Sequence, residues 1–269
     1  MTQGIRFSWL GLYAVLFIVV LYGPVLMLPM FSFNDSIYIA FPLKSFTTKW
    51  YVEMVNNPSL MDALKNSLKV GVSVAIISTA LGLLAAKAIT RYRLPGKGPI
   101  VGTIMIPLVV PSIILGIAIL VVLRRVFDVD LSLWTIGAGH VLICTPFAML
   151  VLMSRLEGFD KSLEEASLDL GESAWSTFWR VTFPLALPGV VSSLLLTFTE
   201  SLDEFVIAFF LAGNESTLPL FIWSQLRFPN KLPNVLALGS VILVLSFVIV
   251  ILAEIVRRRG VQSSKPSAF

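Results

Sequence analysis

Six stretches of this chain are each long and apolar enough to cross a lipid bilayer. That feature constrains the fold more than any other. A helix needs about 20 mostly apolar residues to cross the hydrocarbon core. Phe7 to Phe33, Pro99 to Leu123 and Leu131 to Ser154 carry no formal charge. Val70 to Ala86 is bounded by Lys69 and Lys87, Leu185 to Gly213 is apolar except for one acidic cluster, and Val235 to Val256 carries only Glu254. Hydrocarbon supplies no hydrogen-bond partners, so a spanning segment must satisfy its own backbone, as a helix does. The expected fold class is therefore an all-α membrane protein with six transmembrane helices. Only 13% of the residues are charged, against about 25% in a soluble domain. The first run is too long for a signal peptide, and Ser32-Phe33-Asn34-Asp35 leads directly into a polar loop rather than a cleavage pattern, so it reads as a retained span.

Lys and Arg set the expected orientation. Arg6, Lys87, Arg91, Arg93, Lys97, Arg155, Lys161, Arg180, Arg257, Arg258, Arg259 and Lys265 fall on one side of the six-span layout. Lys44, Lys49, Lys65, Lys69, Arg124, Arg125, Arg227 and Lys231 fall on the other. The loop with Lys87, Arg91, Arg93 and Lys97 contains no acid, and it marks the cytoplasmic side. Both termini are then cytoplasmic. Prolines punctuate the first, third and fourth spans (Pro24, Pro29, Pro107, Pro111 and Pro146), where each removes a backbone donor and kinks its helix.

Several chemistries are excluded. One cysteine, Cys144, makes no disulfide framework, and one histidine, His140, makes no multi-histidine metal centre. The phosphate-binding pattern of glycines followed by Lys and Ser or Thr is absent, since Gly96-Lys97-Gly98 lacks its spacing. The chain is expected to bind no cofactor itself and to be no enzyme. A net charge of +4 reflects membrane orientation rather than a nucleic-acid partner.

Arg155 to Pro184 does not fit a simple bundle. Its first half is acidic, and Phe159, Leu163, Ala166 and Leu170 recur at three- and four-residue intervals, the stripe of an amphipathic helix. Gly171 permits a left-handed bend, and a second short helix with Trp175 and Phe178 runs to Pro184. Helices that lie on membranes are usually basic on their polar face, so an acidic one favours a protein partner. Glu165-Ala166-Ser167, three residues, Gly171, nine residues and Val181-Thr182-Phe183-Pro184 resemble the cytoplasmic coupling loop of binding-protein-dependent ABC importer permeases. Ser167 stands where that pattern has a second Ala. The resemblance implies an ABC importer permease (MetI-like) fold. Residues 1–65 would form a first helix plus a periplasmic loop, 66–256 a five-helix core with a coupling loop at 155–184, and 257–269 a cytoplasmic tail. It also implies that Glu164, Glu165, Ala166, Ser167, Gly171 and Pro184 dock on an ATPase. The implied partners are a homologous permease subunit, two ATPase subunits that bind ATP and Mg, and a periplasmic substrate-binding protein, in a bacterial inner membrane.

The fifth run contains Glu200, Asp203 and Glu204. A charge at mid-bilayer costs about 2.5–3.5 kcal/mol on insertion scales, so three facing lipid would be costly. At 100° per residue, a continuous helix places all three on one face, about 22–28 Å along it from Leu185. Two readings fit: a structural network capped by Ser201, Thr197 or a basic residue of another chain, or a cation-attracting stretch of a conduit. Phe205, Phe209 and Phe210 suit cation–π contact or plain packing. Ser201-Leu202-Asp203-Glu204-Phe205 and the later Thr217-Leu218-Pro219-Leu220-Phe221-Ile222-Trp223-Ser224 resemble the permeases of spermidine/putrescine importers. That resemblance implies polyamine import, with Glu200, Asp203, Glu204 and Trp223 along the pathway. Trp223 reads equally as an interfacial aromatic. Relatives that move opines, other amines, iron or anions keep those solutes open. A cation-coupled secondary transporter, with Glu200 and Asp203 carrying protons, is the alternative from another class, although no inverted repeat is visible.

Overall fold

The computed structural model describes residues 9–262, with side chains as far as 248 and at 251. Arg6, Lys265 and the end of the expected tail lie outside the described residues. The chain forms α1 (Trp9–Ser32), α2 (Lys49–Val55), α3 (Pro58–Arg91), α4 (Lys97–Val109), α5 (Ser112–Val121) and α6 (Leu133–Glu157). These are followed by α7 (Ser162–Asp169), α8 (Ala174–Thr177), α9 (Phe183–Asp203), α10 (Val206–Leu211), α11 (Leu218–Leu226) and α12 (Leu232–Gln262). Among the described residues the only extended pairing is an isolated bridge between Asn34 and Phe46. Among the described residues, five helical stretches are long and apolar enough to span a membrane, and α4 with the helical stretch from Ser112 to Val126 forms a pair bent by 102°, a sixth if the two count as one span.

That bend exceeds the kink expected from Pro107 and Pro111. Pro111 has no N–H to donate and disfavours the helical region for its predecessor. Val110 accordingly turns extended, with ψ 130°, and α5 starts afresh. The fifth run is also broken. The expected continuous helix across Leu185 to Gly213 stops at Asp203, and Glu204 is extended at ψ 108° before α10 begins.

Contacts divide the chain into two compact units, one of residues 59–221 and one of residues 1–58 with 222–269. In the smaller unit α1 and α2 both pack on α12. Trp50 and Met54 of α2 are buried, the Trp50 indole donates to Asn34 O at 2.9 Å, and Tyr51 pairs with Ser32 at 2.6 Å. In the larger unit α6 is the central post, packed on α9 along much of its length and on α4 and α10. Val70, Val74, Ile136, Ile143, Ile207 and Leu211 form one apolar cluster, while Leu83, Ile89, Met149, Leu152, Leu156 and Ala186 form another toward the segment that joins α6 to α9. Gly82 allows α3 to approach α6 closely, since a Cβ there would lie 2.6 Å from Ala148 Cβ and 2.8 Å from the Met149 backbone nitrogen.

Candidate functional site: a fastened loop and a broken acidic span

The loop between α6 and α9 forms the two expected short helices, α7 and α8, separated by Gly171. Gly171 takes φ +90°, a conformation L side chains avoid. Its N–H donates to Leu168 O at 2.9 Å, closing the end of α7. At the other end, the Asp160 carboxylate accepts the Ser162 backbone N–H at 3.0 Å. That hydrogen bond holds the Asp160 carboxyl below its usual range.

The six residues assigned to coupling do not share one surface. Glu165, Ala166, Gly171 and Pro184 are exposed and form the outward side of the loop. Glu164 and Ser167 turn inward. Glu164 Oε1 accepts from Arg91 Nε at 3.2 Å and from Thr182 Oγ1 at 2.8 Å, and Ser167 Oγ pairs with Thr177 Oγ1 at 2.9 Å. A pocket of about 180 Å³ opens at this junction, lined by Lys87, Arg91, Lys161, Glu164 and Glu165 among others. The sequence counts Arg91 only as an orientation charge. Its pairing with Glu164 joins positions 73 residues apart and has no local signature.

Beyond Gly171, α8, a π-helical turn at Phe178–Thr182 and α9 follow one another with helical dihedrals throughout, so Ala174–Asp203 is one 30-residue rod. Trp175, Phe178, Trp179 and Phe183 pack against one another along its start, mostly edge-on or tilted, with neighbouring centroids 5.0–6.3 Å apart.

The acidic cluster sits where this rod ends. Glu200 and Asp203 belong to the last turn of α9, with Asp203 exposed and Glu200 half-buried. Glu204 lies outside the helix, so the single-face geometry expected of a continuous helix holds for the first two alone. Glu204 Oε1 accepts the Ile207 N–H at 2.9 Å and caps α10. A helix C-terminus carries partial negative charge from its unpaired carbonyls, which adds to Glu200 and Asp203. The arrangement concentrates negative charge at the end of α9.

The hydroxyls that offered a structural account of the cluster are engaged elsewhere. Ser201 Oγ pairs with His140 Nδ1 at 2.9 Å, and Thr197 Oγ1 donates to Ser193 O at 2.8 Å. Cys144, one turn along from His140, places its sulfur 3.8 Å from Thr197 O. In the sequence this seam of α6 on α9 has one signal, His140 and Cys144 at i and i+4. A larger cleft of about 720 Å³ runs between α3 and α6, walled by Val70, Val74, Ile77 and Val141, with Lys69 and Glu215 also in its lining. None of the three carboxylates lines it. Trp223 lies in α11 and belongs to the smaller unit.

Residues 78–261 match the family described as "Binding-protein-dependent transport system inner membrane component". The chain is 37% identical over 239 residues to the spermidine/putrescine transport system permease protein PotC of Escherichia coli strain K12, covering 88% of this chain and 89% of that protein. It is 34% identical over 246 residues to the putrescine transport system permease protein PotI of the same strain, covering 89% and 87%. A solved bacterial alginate ABC transporter, in complex with an alginate pentasaccharide-bound periplasmic protein, contains a chain of like fold. The TM-score is 0.71 at 16% identity, over 93% of each chain.

Proposed function

Because this chain belongs to the family of inner membrane components of binding-protein-dependent transport systems, and so is the permease subunit of an ABC importer and no enzyme, we propose that its solute is a polyamine. The observation that carries the reading is the end of α9. Glu200 and Asp203 stand at the negative pole of a helix that breaks inside an otherwise apolar run, with Glu204 one residue on. No lysine or arginine occurs in that run. Such a site favours a solute with several ammonium groups, and the names of PotC and PotI point to the same solute class.

The expected complex contains a homologous permease subunit, two ATPase subunits that bind ATP and Mg, and a periplasmic binding protein. Both termini of this chain face the cytoplasm. Glu165, Ala166 and Gly171 form the docking side of the loop, supported by Glu164, Ser167 and Pro184, and Trp223 faces the outer pathway. ATP-driven approach of the ATPases displaces the loop, the pathway opens outward, and solute leaves the binding protein toward Asp203 and Glu200.

The test is uptake of labelled putrescine and spermidine by uptake-deficient cells that carry the full complex. Glu204→Gln retains an oxygen to cap Ile207, and Asp203→Asn removes only charge, so loss of uptake in either variant with normal assembly reports electrostatics. Wild-type complex that assembles yet takes up neither amine overturns the polyamine assignment.

A further inference from the structure

The fastening of α7 uses a different set of side chains from its outward side. Glu164 receives both Arg91 and Thr182 on one carboxylate oxygen. Side-chain exposure is 6% for Arg91 and 14% for Glu164, so this pair is shielded from the solvent screening that weakens surface pairs. Arg91 Nη2 also donates to Leu156 O in the last turn of α6 at 2.9 Å. The guanidinium stands 4.4 Å from the centroid of the Phe159 ring. One carboxylate therefore joins the end of α3, α7 and the π-helical turn that leads into α9. The Ser167–Thr177 contact adds a second tie between α7 and the same rod. By contrast, the Glu172–Arg180 pair is largely exposed and adds little.

We propose that Glu164 is a positioning residue that locks α7 to α3 and to the fifth span, so that α7 and α9 move as one rigid lever. The proposal rests on the coupling role given to α7 above. Packed rigid elements transmit displacement over tens of ångströms. Thr182 stands in the π-helical turn between α8 and α9, where its hydroxyl reaches Glu164. Push on the exposed side of α7 then reaches Asp203 through the 30-residue rod. Gly171 sets the angle of the lever, and Glu164 makes it stiff.

The experiment uses the full complex in proteoliposomes, in a Cys144→Ala background, with nitroxide labels on Asp169→Cys and Leu187→Cys. Double electron–electron resonance should give one narrow distance distribution that is the same with and without ATP. Glu164→Gln, which drops the charge but keeps the oxygen facing Thr182, should broaden it and lower solute transported per ATP hydrolysed about fivefold or more. Thr182→Val should do so to a smaller extent, and Thr182→Ser should restore the wild-type values. A wild-type distance that changes between nucleotide states overturns the lever. So does a Glu164→Gln complex with unchanged distribution and coupling ratio. The docking reading is checked separately, by whether the label at 169 is immobilised when the ATPase subunits are added. Failure there leaves the distance result to stand or fall alone.

Discussion

Replacing Gly171 gives a ranked series whose order follows from one dihedral angle. At φ +90° any L side chain is strained, at a cost of about 1–2 kcal/mol for a simple one. A Cβ at this position meets nothing within 4 Å, so the cost is backbone strain and not collision. Gly171→Ala therefore weakens the native turn by about 1–2 kcal/mol, a factor of about 5–30 in its population against other turns. Gly171→Asn should lose less, because Asn tolerates positive φ better than other side chains. Gly171→Val should lose more, because β-branched residues are outliers there. Gly171→Pro is the most severe, since its ring fixes φ near −65° and it forfeits the N–H that donates to Leu168 O at 2.9 Å. The assay is ATP hydrolysis by the reconstituted complex, stimulated by the liganded binding protein. Stimulation should fall in the order Gly, Asn, Ala, Val, Pro while the complex still assembles. If Val behaves as Gly does, or if Asn and Ala change places, strain at this turn is not what governs the loop.

Two further perturbations test the scaffold that holds these parts. Gly82→Ala puts a methyl against the α6 backbone, where overpacking costs about 1–3 kcal/mol; thermal unfolding in detergent should shift to lower temperature, and an unchanged midpoint would mean that α3 and α6 are not in that close contact. Ser201→Ala removes the partner of His140 Nδ1 and leaves a wholly buried ring whose Nε2 has no partner among the described residues. An unpaired buried polar group costs about 1–3 kcal/mol, so this variant should also melt earlier, and Ser201→Thr, which keeps a hydroxyl, should recover part of the loss.

The sequence by itself determined the class, the number of apolar runs and the two stretches proposed above to carry function. Hydrocarbon admits only segments that satisfy their own backbone, so a run such as Leu131 to Ser154 announces a helix without reference to any neighbour. The helix, bend and helix between α6 and α9 were legible for a similar reason. Their period of apolar residues and their glycine are local features, and Gly171 sits in the left-handed bend that such spacing predicts. The carboxylates were visible because charge in an apolar run is costly wherever it lies.

What tertiary structure decided was which of these residues belong together and which way each one faces. Glu164 and Glu165 are indistinguishable neighbours in sequence, yet one is held by Arg91 and Thr182 while the other is exposed. The sequence between Arg91 and Glu164, 73 positions apart, carries no periodic trace of that contact. The break at Glu204 escaped because no proline or glycine marks it. Its acid reads as the third member of a helical face, whereas the fold uses it to cap the next helix. Pro111 does mark its break, but a proline in a membrane helix allows anything from a slight kink to a full turn. Packing of α5 on α10 and of α4 on α6 selected the 102° bend. Local rules fix elements through the backbone's own hydrogen-bond needs. The partners of a polar side chain are set by which elements pack, and that depends on the chain as a whole.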